Sequence, residues 1–170
     1  MKTHTGFTLI ELMVTLAVAV ILVTVAAPQL GQFLRKNEVA AHTNAFVRAL
    51  NNARSIAVSD NRTITMCQSA DQQDCSGNAG NWGKGWVVWE DTNGNGSVDS
   101  GEQIFEVHVA LSDNTALDGN GSTAITFNPS GLTGTSFTFD LTPANCTDKE
   151  ARRISINAAG QPRLTDTACP

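Results

Sequence analysis

The chain has 170 residues, of which 41% are hydrophobic and 16% charged, and its formal net charge is −5. This length and composition suit one membrane or stalk element followed by one modest domain with a buried core. The acidic balance argues against bulk electrostatic attraction to nucleic acid or anionic lipid, although a local basic patch is still compatible with binding either one.

The first predicted element is an apolar segment at residues 7–27, in which Glu11 is the only ionisable residue. A helix of this length can span the hydrocarbon core of a bilayer. A secretory signal peptide has a basic start, a short apolar run and a cleavage site after that run. Here the natural cleavage point precedes the run, after Gly6, and cleavage there would leave the apolar helix on the mature protein.

A charge at the centre of a bilayer costs about 3 kcal/mol. Glu11 lies near the end of the segment, where the cost is lower, but its carboxylate still needs a partner. Cleavage after Gly6 creates such a partner, the new α-amine of Phe7. When helices pack side by side, the amine of one chain can pair with the carboxylate of its neighbour in a low dielectric. The residues alone leave two interpretations open, this docking role and a plain signal anchor that tolerates one acid near its end.

The stretch Gly6-Phe7-Thr8-Leu9-Ile10-Glu11 resembles the prepilin processing motif of type IV pilins and type II secretion pseudopilins. The resemblance implies cleavage between Gly6 and Phe7 by prepilin peptidase, followed by N-methylation of Phe7. It also implies residence in the inner membrane before assembly, and assembly with other major and minor pilins through Glu11 and the N-terminal helix. Pro28 lies where pilins often place a helix-kinking proline.

After this segment the chain is predicted to continue as helix and then to become β-rich. Phe46, Leu50, Ala53 and Ala57 recur at helical spacing, which predicts an amphipathic helix. Beyond it, β-branched or aromatic runs alternate with turn residues, which predicts an α+β fold with a long N-terminal helix packed on an antiparallel β-sheet domain. These runs are at 62–69, 85–90, 103–111, 123–129, 135–141 and 152–157. The predicted organisation is a leader (1–6), a transmembrane and assembly helix (7–28), its amphipathic second half (29–60) and a β-rich periplasmic or pilus globular domain (61–170).

This order of elements narrows the resemblance to the GspH/FimT branch of minor pilins and H-type pseudopilins, through the stretches at 51–67, 82–105 and 125–131. It implies a type IV pilin-like fold, a single-pass anchor in the inner membrane with a periplasmic domain, and later display on a cell-surface pilus. The expected function is that of a minor pilin in pilus assembly or initiation. The alternatives are an H-type pseudopilin of a type II secretion system and, from another class, a signal-anchored periplasmic calcium-binding module that never polymerises.

The stretch DTNGNGSVDSGE (91–102) has the ligand spacing of an EF-hand calcium loop, with Gly96 at position 6 and Val98 at position 8. Its flanks are predicted strands, so the helix–loop–helix context is missing. Two interpretations are open, a weak Ca²⁺ site and a Gly/Asn-rich hairpin turn whose acids face solvent. No other cofactor is expected. The candidate ligands are Asp91, Asn93, Asn95, Ser97, Asp99 and Glu102.

Four cysteines lie beyond the apolar segment, and this even number fits an oxidising compartment such as the periplasm. Three disulfide pairings are compatible with the sequence. The expected one is local, with Cys67–Cys75 and Cys146–Cys169.

Basic residues crowd the C-terminal end of this acidic chain. They are either a rim balanced by nearby acids or a patch that binds phosphates. FimT-type minor pilins bind DNA through a C-terminal Gly-Arg-x-Arg motif, which here corresponds to Gly160-Gln161-Pro162-Arg163, with Gln161 in place of the first arginine. The resemblance implies double-stranded DNA as a partner. Lys84, in the predicted hairpin region, would join the patch if the fold brings it close. The contacts would be Lys149, Arg152, Arg153 and Arg163.

The sequence lacks the motifs G-x-S-x-G and H-E-x-x-H and a phosphate-cradling loop, and the chain is therefore not expected to be an enzyme. Trp86 and Trp89 fall on opposite faces of a predicted strand, which predicts one ring in the core and one exposed ring.

Overall fold

The computed structural model describes residues 7–75 and 80–170. Within them, one long helix, α1 (Leu9–Asp60), is followed by eight strands and one short 3₁₀ helix (Trp82–Lys84). The strands are β1 (Ile64–Gln68), β2 (Trp86–Glu90), β3 (Ile104–His108), β4 (Thr115–Asp118), β5 (Ala124–Phe127), β6 (Phe137–Pro143), β7 (Ala151–Ile156) and β8 (Pro162–Thr167).

The chain divides into two compact units, residues 1–37 and residues 38–170. The first contains the N-terminal part of α1, and the second contains the rest of the helix and all the strands. The leader at 1–6, including Gly6, lies outside the described residues. The helix is assigned without a break through Pro28, whose side chain also lies outside what is described, and the expected kink there stays a prediction.

The eight strands form two antiparallel four-stranded sheets. Sheet 1 has the order β3-β2-β1-β5, and sheet 2 has the order β4-β6-β7-β8. In sheet 1, Met66 of β1 lies opposite Val88 of β2 on one side and Ile125 of β5 on the other. In sheet 2, Phe139 of β6 lies opposite Ile154 of β7. The α+β class, with a long N-terminal helix and antiparallel strands, is confirmed, and the predicted antiparallel sheet is in fact a pair of sheets.

The main core lies between the two sheets and the apolar face of α1. Phe46 is fully buried at its centre, with its ring 5.2 Å from that of Trp86 in sheet 1 and 4.9 Å from that of Phe139 in sheet 2. The predicted helical stripe is the buried face of α1, because these side chains repeat every three or four residues. Its buried members are Val39, Phe46, Ala49, Leu50, Ala53 and Ala57.

A second, smaller cluster covers the other face of sheet 1. Cys67, Val87 and Trp89 are fully buried there, with Cys75 and Val98 packed against them. The expectation of an exposed tryptophan is therefore wrong. Trp89 does point away from Trp86, but the loops that carry Cys75 and Val98 cover its ring. β1 is consequently buried along its whole length.

Two strands were missed by the sequence patterns. β4 has only four residues, and β8 begins with a proline and is mostly exposed. Both are the edge strands of sheet 2, where one side of the strand faces no partner and polar residues are tolerated.

The structure contains the two local disulfides, Cys67–Cys75 and Cys146–Cys169. The second joins the loop before β7 to the chain just after β8, where the N–H of Cys169 also donates to the carbonyl of Asp148 at 3.1 Å. It therefore ties down the end of the edge strand that carries Arg163.

Candidate functional site

The helix α1 starts with two reciprocal hydrogen bonds. Thr8 precedes the first helical residue, and its Oγ1 accepts the backbone N–H of Glu11 at 3.3 Å. The Oε2 of Glu11 in turn accepts the backbone N–H of Thr8 at 3.5 Å. This is a capping box, and the T-x-x-E spacing is the sequence signal from which it can be predicted. Glu11 thus has a structural role within its own chain.

The turns after Glu11 present an apolar surface. An 18-residue window of α1 has a mean hydropathy of 2.6, and none of it is buried. By length and composition this helix is able to cross a membrane. Ile10 is 66% exposed and Ile21 is 63% exposed. A surface of this kind needs a bilayer or neighbouring helices to cover it.

The basic residues of the C-terminal part do not form one patch. On β7, Arg153 donates to both carboxylate oxygens of Asp140 on β6, at 2.7 and 2.9 Å. The Arg153 hydrogen bond is the largest cause that lowers the pKa of Asp140 below its ordinary value. Arg152 forms a weaker pair with Asp166, with a 3.4 Å distance between Nε and Oδ1. These two arginines are therefore largely neutralised by acids of the same sheet.

Arg163 is the exposed cation of β8. It lies opposite Ser155, on the face of sheet 2 that also carries Arg153. As diagonal neighbours on adjacent strands, these two arginines have Cα atoms about 7–8 Å apart. Within the described part of the chain, Arg163 has no acidic partner.

The remaining predicted contacts lie elsewhere. Lys149 is exposed and lies just before β7, at the open end of the β7–β8 hairpin. Arg163 lies near the turn, at the other end of the same hairpin. Lys84 is the last residue of the 3₁₀ helix, and this helix lies beside β4. The closeness is visible at Gly83, where an added Cβ would lie 3.5 Å from the backbone nitrogen of Leu117. β4 and β8 are opposite edges of sheet 2, so the fold does not bring Lys84 close to Arg163.

The conformation and the surroundings of Gly160 leave no room for a side chain. Its φ is +72°, and a Cβ there would lie 2.6 Å from the carbonyl oxygen of Gly131 and 3.0 Å from the Phe127 ring. Gln161, at the position of the missing arginine, donates its N–H to the Asn157 side chain at 2.9 Å. The turn therefore needs this glycine whether or not the chain binds DNA.

The 91–102 stretch forms the loop between β2 and β3, as a hairpin connection rather than a helix–loop–helix. The three acids of the loop accept hydrogen bonds from the loop itself. Within the described residues, no group of three or more His, Cys, Asp and Glu side chains is arranged to hold a metal ion.

Two family models match the chain. The model described as the prokaryotic N-terminal methylation motif matches residues 1–27. The model described as type II transport protein GspH matches residues 42–160, which is more than half of the chain. The chain belongs to the GspH family. No curated protein matches the sequence of this GspH-family chain.

The solved structures similar to this GspH-family chain include a type IV minor pilin and a type II secretion pseudopilin. In one crystal form, the type IV minor pilin FimU of Pseudomonas aeruginosa is 24% identical, with a TM-score of 0.62 over 81% of this chain and 96% of FimU. A second crystal form of FimU is 25% identical, with a TM-score of 0.56 over 78% of this chain and 96% of FimU. The minor pseudopilin EpsH of the Vibrio cholerae type II secretion system is 16% identical, with a TM-score of 0.53 over 79% of this chain and 98% of EpsH.

This GspH-family chain is thus a minor pilin or pseudopilin, of a type IV pilus or of a type II secretion system. Its apolar N-terminal helix with a prepilin-type motif indicates a membrane-anchored pilin with a periplasmic domain. Pilins and pseudopilins are structural families that assemble with other pilins after processing by prepilin peptidase.

Proposed function

We propose that this chain is a minor pilin of a type IV pilus and acts in the assembly or initiation of the filament. The observation that carries this proposal is the similarity to FimU, which spans 81% of the chain at a TM-score of 0.62. The N-terminal methylation motif supports a polymerising subunit over a signal-anchored module that stays single.

The proposed mechanism of assembly begins with cleavage between Gly6 and Phe7 by prepilin peptidase. Cleavage frees the α-amine of Phe7, which is then N-methylated, and leaves an apolar segment, residues 7–27, that carries one acid, Glu11. In a bundle of such helices, the Glu11 carboxylate of one subunit pairs with the Phe7 amine of its neighbour. An ion pair in a low dielectric is strong only when its geometry is good, so it fixes the axial register between subunits.

The alternative within the family is an H-type pseudopilin of a type II secretion system. A gene deletion in the native host separates the two proposals, with complementation by the wild type as the control. We expect the deletion to abolish or strongly reduce surface pili and to leave the secretion of folded periplasmic proteins unchanged. Intact pili together with blocked secretion would assign the chain to the secretion system instead.

Double-stranded DNA is a second candidate partner, and the arrangement that favours it is the shared face of Arg153 and Arg163 on sheet 2. Two arginines that are diagonal neighbours on one sheet face, with Cα atoms about 7–8 Å apart, can direct their long side chains to neighbouring phosphates. Against this, Asp140 holds Arg153 in a bidentate pair. Any contact with DNA would therefore rest mainly on Arg163, and the affinity would be low and strongly dependent on salt.

A further inference from the structure

The loop between β2 and β3 begins with a carboxylate that the fold leaves half satisfied. Asp91 is only 4% exposed. Its Oδ2 accepts the backbone N–H of Gly96 at 3.2 Å and the Thr65 hydroxyl at 3.3 Å. Its Oδ1 is buried and has no hydrogen-bond partner within the described residues. A buried, unpartnered carboxylate oxygen is costly, and a cation is the simplest group to satisfy it.

The hydrogen bond from Gly96 shows where this carboxylate points. Gly96 lies at the turn of the loop, with a φ of +73°, and its N–H can reach Oδ2 only if the Asp91 side chain is directed into the loop. The Asp91 carboxylate therefore stands at the base of the loop, between the Gly96 turn and Thr65 of β1, with its Oδ1 unpartnered. In EF-hand spacing, Asp91 is position 1 and Gly96 is position 6.

Other oxygen-bearing side chains of the loop make contacts within the loop. The Oδ2 of Asp99 accepts the Nδ2 groups of both Asn93 and Asn95, each at 2.7 Å. Glu102 closes the loop from its other end, because its Oε1 accepts the N–H of Thr92 at 2.9 Å and its Oε2 that of Asp99 at 3.0 Å. Positions 3, 5 and 9 are thus in mutual contact, and position 12 bonds to the backbone of the same loop.

We propose that the loop 91–102 binds one calcium ion, with the free Oδ1 of Asp91 as its first ligand. The side-chain oxygens of Asn93 and Asn95 accept the N–H groups of Asn95 and Ser97, at 3.0 and 2.8 Å. Calcium would replace these bonds, because rotation of the two amides turns their oxygens, in place of their NH₂ groups, towards the point where Asp99 lies. The Ser97 carbonyl and the Glu102 carboxylate complete a set of six oxygens, which is within the range that calcium takes. Within the described residues the three acids of the loop are not by themselves arranged to hold a metal ion, so the neutral oxygens are needed to complete the set.

The chemistry of the set selects calcium among the common divalent ions. All the donors are oxygens, which excludes the nitrogen and sulfur ligands that zinc prefers. The loop is exposed and carries three glycines with positive φ, Gly94, Gly96 and Gly101, and such a flexible frame does not impose the strict octahedron that magnesium demands. Val98 anchors the loop from one side, because it packs against the cluster of Cys67, Val87 and Trp89.

The test is direct calcium binding by the full-length processed protein in detergent micelles, measured by equilibrium dialysis with radioactive calcium. We expect one ion per chain with a Kd of about 0.1–1 mM, the range of extracellular calcium modules. Tryptophan fluorescence should shift with the same midpoint, since Val98 contacts the Trp89 cluster. Magnesium at the same concentrations should leave the fluorescence unchanged.

Two loop variants and one control complete the experiment. Asp91→Asn and Glu102→Gln should each weaken calcium binding by at least about tenfold, whereas Asp113→Asn, an exposed acid outside the loop, should bind like the wild type. Because Asp91 is buried, Glu102→Gln decides the outcome if Asp91→Asn fails to fold. The proposal is overturned if the wild type binds no calcium at about 10 mM, far above this range, or if Glu102→Gln binds as well as the wild type. Neither result bears on whether the chain is a pilin.

Discussion

Thr8 and Glu11 satisfy each other's backbone N–H groups at the start of α1. The acid expected to pair with a neighbouring subunit therefore also caps its own helix. A capping box is worth about 0.5–2 kcal/mol, which is modest against the cost of leaving a charge unpaired in a bilayer. Since the two roles need different properties of Glu11, substitutions can separate them.

The first prediction concerns that separation. Glu11→Gln keeps a side chain that can accept the Thr8 N–H but removes the charge, and Glu11→Ala removes both. If the charge pairs with the Phe7 amine, both variants lose incorporation into filaments, while Thr8→Ala is incorporated nearly normally. The measurement is the amount of each variant in sheared pili, relative to its amount in the membrane. If Glu11→Gln assembles like the wild type and Thr8→Ala does not, the acid is only a helix cap.

Gly160 and Gly134 provide a matched pair for the C-terminal turn. Both have a φ of +72°, but a Cβ at Gly134 meets nothing within 4 Å, whereas one at Gly160 would collide with the Gly131 carbonyl. Gly134→Ala should lower the free energy of unfolding by about 1–2 kcal/mol, from the left-handed backbone alone. Gly160→Ala should cost about 1–3 kcal/mol more, from overpacking. Thermal unfolding of the full-length variants in detergent checks both, and equal losses would contradict the close contact at Gly160.

The pair of Asp140 and Arg153 makes a prediction about DNA. Asp140→Asn releases a guanidinium group beside Arg163, so it should strengthen DNA binding and steepen its salt dependence by about 0.9 per additional phosphate contact. Asp113→Asn makes the same change in net charge at a distant exposed site and should leave the slope unchanged. The measurement is a gel shift across a salt series, with Arg163→Ala as the loss-of-contact variant. Equal mobility of DNA with and without the protein at low salt would end the DNA proposal.

The Cys146–Cys169 bridge should matter most for β8. Replacing both cysteines with serine should lower the free energy of unfolding by about 2–4 kcal/mol, since the bridge closes a loop in the unfolded chain. It should also speed hydrogen exchange of the β8 amides, because the bridge holds the end of this edge strand. Exchange measured by mass spectrometry, with β6 as the internal reference, tests this. Unchanged protection of β8 would show that the β7–β8 pairing alone holds the strand.

The sequence predicted the elements that have strong apolar patterns. The stripe through Phe46 and Leu50 is the buried face of α1, and the β-branched or aromatic runs became six of the strands. The edge strands β4 and β8 were missed because an edge strand can be short or polar and still pair. The sequence predicted one exposed ring of the two, Trp86 and Trp89, because alternation reports the direction of a side chain but not what a distant loop places over it.

The candidate site was predicted unevenly for a related reason. Spacing along the chain predicts local groups, such as the Cys67–Cys75 bridge and the gathering of the 91–102 side chains. The pairing of Arg153 with Asp140 depends on the register of β6 against β7, and the separation of Lys84 from Arg163 depends on the strand order of sheet 2. Neither property can be predicted from the spacing of residues along the chain.

The central claim is that a processed α1, with Glu11 facing a neighbour's new amine, carries this chain into a pilus. The most direct test is the intact mass of the chain recovered from sheared pili of the native host, with the membrane fraction as reference. We expect the chain to be present in the pili, to start at Phe7 and to carry one additional methyl group. A chain that still begins at Met1 and stays in the membrane fraction would contradict the account.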